Sequence, residues 1–421
     1  MGAPSEPSPE RIAAARAAGR DLVRPTPLLS AATVDAAVGR RVVLKAENLQ
    51  RTGAFKLRGA VAKLAALGEG ARRGVVAGSA GNHALALACA ARAAGVHCDV
   101  FMPADAPVSK VDAARRYGAT VHLDAPTLGD AVEAAEALAG SEGLAFVHPF
   151  DDLDVVAGQA TVGLELLEAV DDLAAVVVPL GGGGLLAGIG AAVKRARPEV
   201  RVVGVQAAAC AAFPESLAAG RAVECTAVPT IADGIAVKRP GRLTLPLVER
   251  FADSVEVVTD DEIAEAMVLL LEESKVVVEG AGAVAVAAVL AGRVAVAAPG
   301  TIAAVLSGGN VDATVLAAVV RHHETLVGRS LVLVGRMADR PGELARLLTV
   351  LAQFGVNVVD VSHVREGIDL GVRETAVQIV VETRDPADAA RLDEWARDHG
   401  FAIQVVDHAR AWRADQRSEE A

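Results

Sequence analysis

Aromatic residues are scarce in this 421-residue chain: two Trp, one Tyr and eight Phe make up 3% of it. Yet 52% of the chain is hydrophobic, so its core must be filled mainly by small aliphatic side chains. Alanine keeps helix propensity high and lets helices approach closely. Lysine is also rare, with only seven (45, 56, 63, 110, 194, 238 and 275) among 41 basic residues. Positive charge is not in excess, since the formal net charge is −12. Clustered cations are needed to bind nucleic acid or anionic membranes non-specifically, and neither partner is expected. Four cysteines (89, 98, 210 and 225) lack the close spacing of a metal site or disulfide framework. Reduced thiols and no metal are expected. The first 21 residues carry no apolar segment of a secretory signal. The longest apolar tract, from Gly280 onward, is broken by Arg293 and Pro299, short of the roughly 20 residues a spanning helix needs. These absences favour a soluble, cytoplasmic protein. Plentiful apolar residues exclude intrinsic disorder, and the length suggests two or three domains.

Short β-branched runs alternate with Ala-rich helical stretches through the first three quarters of the chain. The candidate strands are 41–47, 74–79, 97–103, 120–124, 175–180, 201–207 and 302–308. Helical patterns fall at 81–94, 108–117, 129–139, 184–196 and 260–274. Continuous apolar strands separated by helices imply an α/β architecture whose parallel sheets are covered on both faces. The catalytic region is placed at 1–320, with a smaller subdomain at about 45–155. The polar stretch RHHETLVGRS (321–330) is assigned as a linker. Beyond it, 331–337, 343–355, 356–366, 374–385, 386–400 and 401–407 spell β-α-β-β-α-β. That order is a compact ferredoxin-like unit (331–407), followed by a charged tail at 408–421.

Four segments carry candidate chemistry. In ENLQRTGAFKLRGA (47–60), Lys56 follows Phe55 and a turn at Gly53, and opens an otherwise apolar helix. A surface lysine would be unremarkable there, but a desolvated one would have a depressed pKa and form a Schiff base with an aldehyde. In GSAGNHALALA (78–88), a strand ends in Ser79-Ala80-Gly81-Asn82-His83 and a helix begins. Its backbone N–H groups and the Ser79 hydroxyl suit a carboxylate, although simple helix capping uses the same residue types. PLGGGGLLAGIG (179–190) runs from a strand through four glycines, Gly181 to Gly184, into an apolar helix. Adjacent unshielded N–H groups at a helix start make a phosphate cradle. A dinucleotide site is the rival, but the next strand ends in Gln206 and Ala207 without the acidic partner, and no Walker lysine follows the glycines. In VLSGGN (305–310), Ser307 stands at the C-terminal edge of a parallel strand, where ligands bind. A Schiff-base lysine, a monophosphate cradle and a polar cleft together point to pyridoxal 5′-phosphate, PLP.

With these four motifs in this order, residues 10–320 resemble the PLP-dependent threonine dehydratases (threonine ammonia-lyases) of the tryptophan-synthase-β fold, fold type II. The resemblance implies that Lys56 carries the cofactor and that Phe55 packs beside its ring. It implies that Asn82 bonds the ring hydroxyl, that Gly181, Gly182, Gly183, Gly184 and Leu185 hold the phosphate, and that Ser307 faces the ring nitrogen. Lys56 and Ser79 are the catalytic candidates, and Ser79, Ala80, Gly81, Asn82, His83 and Glu279 the substrate-binding ones. Glu279 is matched equally well by a carboxylate that favours a helix N-terminus. The implied reaction is deamination of L-threonine to 2-oxobutanoate and ammonia, and of L-serine to pyruvate. Serine racemases and hydroxyaspartate ammonia-lyases share the fold. Racemases of the family resemble S-S-G-N-H, and Ala80 removes that second hydroxyl. A non-enzymatic alternative is an amino-acid sensor on an inactive PLP scaffold, against which the intact Lys56, glycine run and Ser307 speak.

The C-terminal unit resembles an ACT domain, through MADRPGELARLL (337–348) and GVNVVDVSH (355–363). Asp339, Gly342 and Asn357 are placed near an effector amino acid, with a branched-chain residue such as isoleucine expected. Dimerisation alone is the plainer role for this unit. A homo-oligomer, dimer or tetramer, is expected.

Overall fold

A computed structural model describes residues 6–364, 370, 372–383 and 387–406. The charged tail at 408–421 lies outside the described residues. The chain divides into two compact units, Met1–Leu316 and Ala317–Ala421. In the first unit the strands are β1 (Leu28–Ser30), β2 (Val42–Ala46), β3 (Val75–Gly78), β4 (Cys98–Pro103), β5 (Thr120–Ala125), β6 (Ala145–Phe146), β7 (Leu173–Pro179), β8 (Arg201–Ala207), β9 (Ser254–Val258) and β10 (Thr301–Leu306).

These strands build two sheets. One has the order β1-β2-β10-β7-β8-β9, parallel except for the β1–β2 pair. The other has the order β5-β4-β3-β6 and is parallel throughout. All seven expected strands are present. The smaller sheet spans 75–146, and β2 belongs to the larger sheet. Every residue of β2, β3, β7 and β10 is buried, as expected for strands covered by helices on both faces.

The helices pack closely because small residues line their contacts. The helix Lys56–Leu67 crosses the helix Leu153–Ala169 at Gly59 and Gly158. A Cβ on Gly158 would lie 2.6 Å from Gly59 Cα, so this crossing is backbone against backbone. Beside it is a buried charge network. Arg58 pairs with Glu47 at 2.8 Å and Glu165 at 2.6 Å, while Lys45 reaches Glu165 at 2.5 Å. Burial opposes ionisation of Glu47, but Arg58 outweighs it and holds the carboxyl below its ordinary pKa.

The second unit contains β11 (Ser330–Ala338), β12 (Asn357–Val364), β13 (Glu374–Glu382) and β14 (Ala402–Val406) in the order β12-β13-β11-β14, all neighbours antiparallel. Helices Glu343–Phe354 and Asp388–Asp398 complete the βαββαβ unit, with Leu347, Leu351 and Leu392 fully buried. The expected linker is corrected: residues 321–326 are the last turns of a helix, Ala313–Leu326, and the boundary between units falls inside it. Val319 is its one buried residue, and its polar second half, 321–326, is the part that reads as a linker.

Candidate active site

Lys56 begins its helix directly after Phe55, whose N–H donates to Ser307 O at 3.0 Å. The start of the lysine helix is thereby tied to the end of β10. Lys56 Nζ donates to Pro149 O at 2.8 Å and stands 5.1 Å from the centroid of the Phe55 ring. Burial pushes its pKa down to about 8, against the opposing pull of the Glu279 charge. A lysine of this kind is a usable nucleophile and base near neutral pH.

The Ser79–His83 turn leaves β3 at Gly78, where a Cβ would come within 2.5 Å of Val132 Cα. Ser79 Oγ accepts from Gly81 N–H at 3.3 Å, and the helix Asn82–Ala94 begins immediately after. Ser79, Ala80, Gly81 and Asn82 are half-buried, whereas His83 is buried with Nε2 2.8 Å from Val147 O. Burial and the nearby Lys56 charge lower the His83 pKa to about 3. His83 is therefore neutral and supports the turn from below.

Glu279 combines features of both readings. It stands at the N-cap of the helix Gly280–Leu290, but its side chain makes no capping bond. Instead Oε1 accepts from Asn82 Nδ2 at 2.7 Å. Burial, then the neighbouring Asp233 charge, raise its pKa to about 7. Ser307 is also buried, with Oγ donating to Ala281 O at 3.2 Å.

The glycine run follows β7 and Leu180. Gly183 caps the helix Gly184–Ala196 at φ +96°, a left-handed conformation that glycine adopts without strain. The first-turn N–H groups have no partner within the helix, so Gly181–Leu185 presents donors at a positive helix end. Side chains here would collide with the surroundings. A Cβ on Gly182 would overlap the Phe150 ring, and one on Gly184 would lie 3.0 Å from Phe150 Cβ. This donor set, a nearby low-pKa amine and a buried hydroxyl fit PLP.

The sequence reading missed the segment that joins these parts, His148-Pro149-Phe150-Asp151-Asp152. Pro149 O accepts from Lys56, and Phe150 lies against Gly182 and Gly184. His148 Nδ1 accepts from the N–H groups of Phe150 (3.2 Å) and Asp151 (2.7 Å). Asp152 caps the helix Leu153–Ala169 and pairs with Lys63 at 2.6 Å. A proline beside histidine and two acidic residues between apolar segments is the signal that would have found it. Asn310 was missed too, although it ends the VLSGGN motif. Its Nδ2 donates to Asn82 Oδ1 at 2.7 Å and to Thr52 O at 2.8 Å.

The three effector candidates do not converge within one copy. Asp339 follows β11, its N–H bonded to Arg373 O, and Gly342 caps the next helix at φ +94°. Asn357 begins β12 opposite Glu382, to whose Oε2 its side chain donates at 2.8 Å. On β13, Glu374 pairs with the end of β11 and Glu382 with its start. Asn357 therefore lies at the opposite end of the sheet from Asp339 and Gly342.

Comparison with known proteins agrees with this geometry. Residues 19–308 match the family described as pyridoxal-phosphate dependent enzyme, and 330–393 match the ACT domain. The chain belongs to the pyridoxal-phosphate-dependent enzymes and carries a C-terminal ACT domain. Among curated relatives, the L-threonine ammonia-lyase of Thermotoga maritima is 41% identical over 94% of this chain and 99% of its own. That of Geobacter sulfurreducens is 44% identical over 92% of this chain and 96% of its own. Among solved structures, a threonine deaminase from T.th. superposes with a TM-score of 0.69 at 42% identity, covering 73% of this chain and 99% of that one. Maize serine racemase gives a TM-score of 0.71 at 35% identity, covering 75% of this chain and 97% of that one. Among the described residues, no helix is long and apolar enough to cross a membrane, and no cluster of ligating side chains suits a metal ion.

Proposed function

We propose that this protein deaminates L-threonine to 2-oxobutanoate and ammonia, and L-serine to pyruvate, under regulation by an amino acid acting on its ACT domain. The observation that carries this reading is the shared wall at Pro149-Phe150, which meets the Lys56 amine on one side and the glycine cradle on the other. PLP, when bound, supplies an electron sink for the substrate α-carbon. The Gly181–Leu185 N–H groups would hold its phosphate, Asn82 its ring hydroxyl and Ser307 its ring nitrogen.

The protein's own groups perform the rest. The Ser79–His83 turn binds the substrate carboxylate through backbone N–H groups and the Ser79 hydroxyl. Lys56, with its pKa near 8, takes the α-proton as a neutral amine. Loss of the β-hydroxyl as water leaves an enamine that hydrolyses to the 2-oxo acid and ammonia. Ala80 provides no hydroxyl to protonate the opposite face, which favours elimination over racemisation. Asp339 and Gly342 together suit an effector amino acid, with isoleucine as the expected ligand. A cytoplasmic homo-oligomer completes the proposal. Assaying threonine, serine and hydroxyaspartate for 2-oxo acid release tests it. Faster turnover of hydroxyaspartate, or conversion of L-serine to its D-form ahead of pyruvate, would overturn the substrate assignment.

A further inference from the structure

One contact behind the glycine cradle is made by a residue that no motif singled out. Thr244 is fully buried, and its Oγ1 donates to Gly182 O at 2.6 Å. In a trans peptide, C=O and the following N–H point in opposite directions. A hydroxyl that holds the Gly182 carbonyl on one side therefore turns the Gly183 N–H to the other. Contact is close here, since a Cβ on Gly183 would lie 2.8 Å from Thr244 Cβ.

Thr244 is itself anchored. It opens the helix Thr244–Phe251, and the Asp151 carboxylate receives three successive N–H groups there. Those of Leu243 (2.9 Å) and Thr244 (3.1 Å) reach Oδ1, and that of Arg242 (3.0 Å) reaches Oδ2. A side chain at position 241 would collide with this carboxylate, and glycine stands there. Asp151 is also the neighbour of Phe150, which packs against Gly182. Two separate paths, one through Phe150 and one through Thr244, thus reach the same glycine peptide.

We propose that Thr244 is a positioning residue that aims the Gly183 N–H at the cofactor phosphate, and that Asp151 holds Thr244 in register. The inference rests on the glycine run being the phosphate cradle. It assigns to a threonine outside the motif the direction of one of the cradle's donors. Neither residue need touch the cofactor.

The test compares PLP with pyridoxal, which has the same aldehyde and ring but no phosphate. Affinity of the apoprotein for each is followed by cofactor absorbance. Thr244→Val keeps the shape and removes the hydroxyl, so PLP affinity should fall about tenfold, as for one lost hydrogen bond to a charged group. Pyridoxal affinity should stay within a factor of about two on the same scale. Thr244→Ser should restore PLP affinity, and Asp151→Asn should show a smaller loss in the same phosphate-selective sense. Equal losses for PLP and pyridoxal in both the valine and the asparagine variant would overturn the inference and leave a merely structural role. Wild-type protein that binds the two ligands equally well would overturn the cradle assignment itself, and the inference with it.

Discussion

Asn82 Nδ2 donates to Glu279 Oε1 across 2.7 Å, although 197 positions separate the two residues. Asn310 fixes the direction of that bond by donating its own Nδ2 to Asn82 Oδ1. The amide of Asn82 is thus oriented at both ends by groups from the end of β10 and the start of the helix Gly280–Leu290. One N–H of its NH2 group is directed at Glu279, and the second remains to donate elsewhere.

The Lys56 amine is held in a setting that favours its neutral form. Below a pH of about 8, capture of PLP by the apoprotein should quicken roughly tenfold per unit of pH, levelling off above it. Stopped-flow absorbance at several pH values measures this. Lys56→Ala should abolish threonine turnover, and wild-type deamination by that variant would refute the assignment.

Glu279 has a folded-state pKa of about 7, raised from an ordinary 4.5. A raised carboxyl pKa means that the folded protein holds a proton the unfolded chain has released. The stability cost of the ionised group therefore grows from pH 4.5 upward and is complete above about 7. Glu279→Gln should stabilise the apoprotein on the order of 1–3 kcal/mol at pH 8 and have little effect near pH 4. Urea denaturation at the two pH values decides, and a gain confined to the acid side would contradict the assigned environment.

Arg58 and Glu47 form a pair with side chains 1% and 0% exposed. Removing Glu47 leaves the buried Arg58 with Glu165 as its one carboxylate partner, so Glu47→Ala should cost at the lower end of about 3–5 kcal/mol. The midpoint of chemical denaturation measures the loss. An unchanged midpoint would show that the network is not ionised as paired.

The ACT unit should make threonine kinetics respond to a branched-chain amino acid, isoleucine first, with Asp339→Ala weakening the response. Titration calorimetry across isoleucine, valine and leucine, alongside the kinetics, checks this. No heat of binding and unchanged kinetics across the panel would leave the unit a dimerisation module.

The parallel strands were legible because continuous Val and Ala runs, buried on both faces, need no period to be recognised. Short strands such as β1 and β6, at three and two residues, are set by tertiary pairing and leave no local signal. The glycine run was legible because backbone geometry demands its residue type, and the Lys56, Ser79–His83 and Ser307 segments because their side-chain chemistry stands at strand ends and helix starts. Their linkage was not, since Pro149 acts through a carbonyl and Phe150 through ring packing. The polar run after residue 320 looked like a linker because the Ala313–Leu326 helix buries almost nothing. Asn357 was grouped with Asp339 on local resemblance, whereas β11 and β12 each run antiparallel to β13 and so parallel to one another. The end of one and the start of the other must lie at opposite ends of the sheet.

The crossing at Gly59 and Gly158 bears on how the lysine keeps its place. Three residues beyond Lys56, the Gly59 and Gly158 backbones meet directly, with the Val155 and Gln159 side chains packed beside Gly59. The separation of the two helices at that point is set by the absence of a Cβ on either glycine. A protein almost without large aromatic wedges thus fixes the helix that carries its reactive amine by main-chain contact.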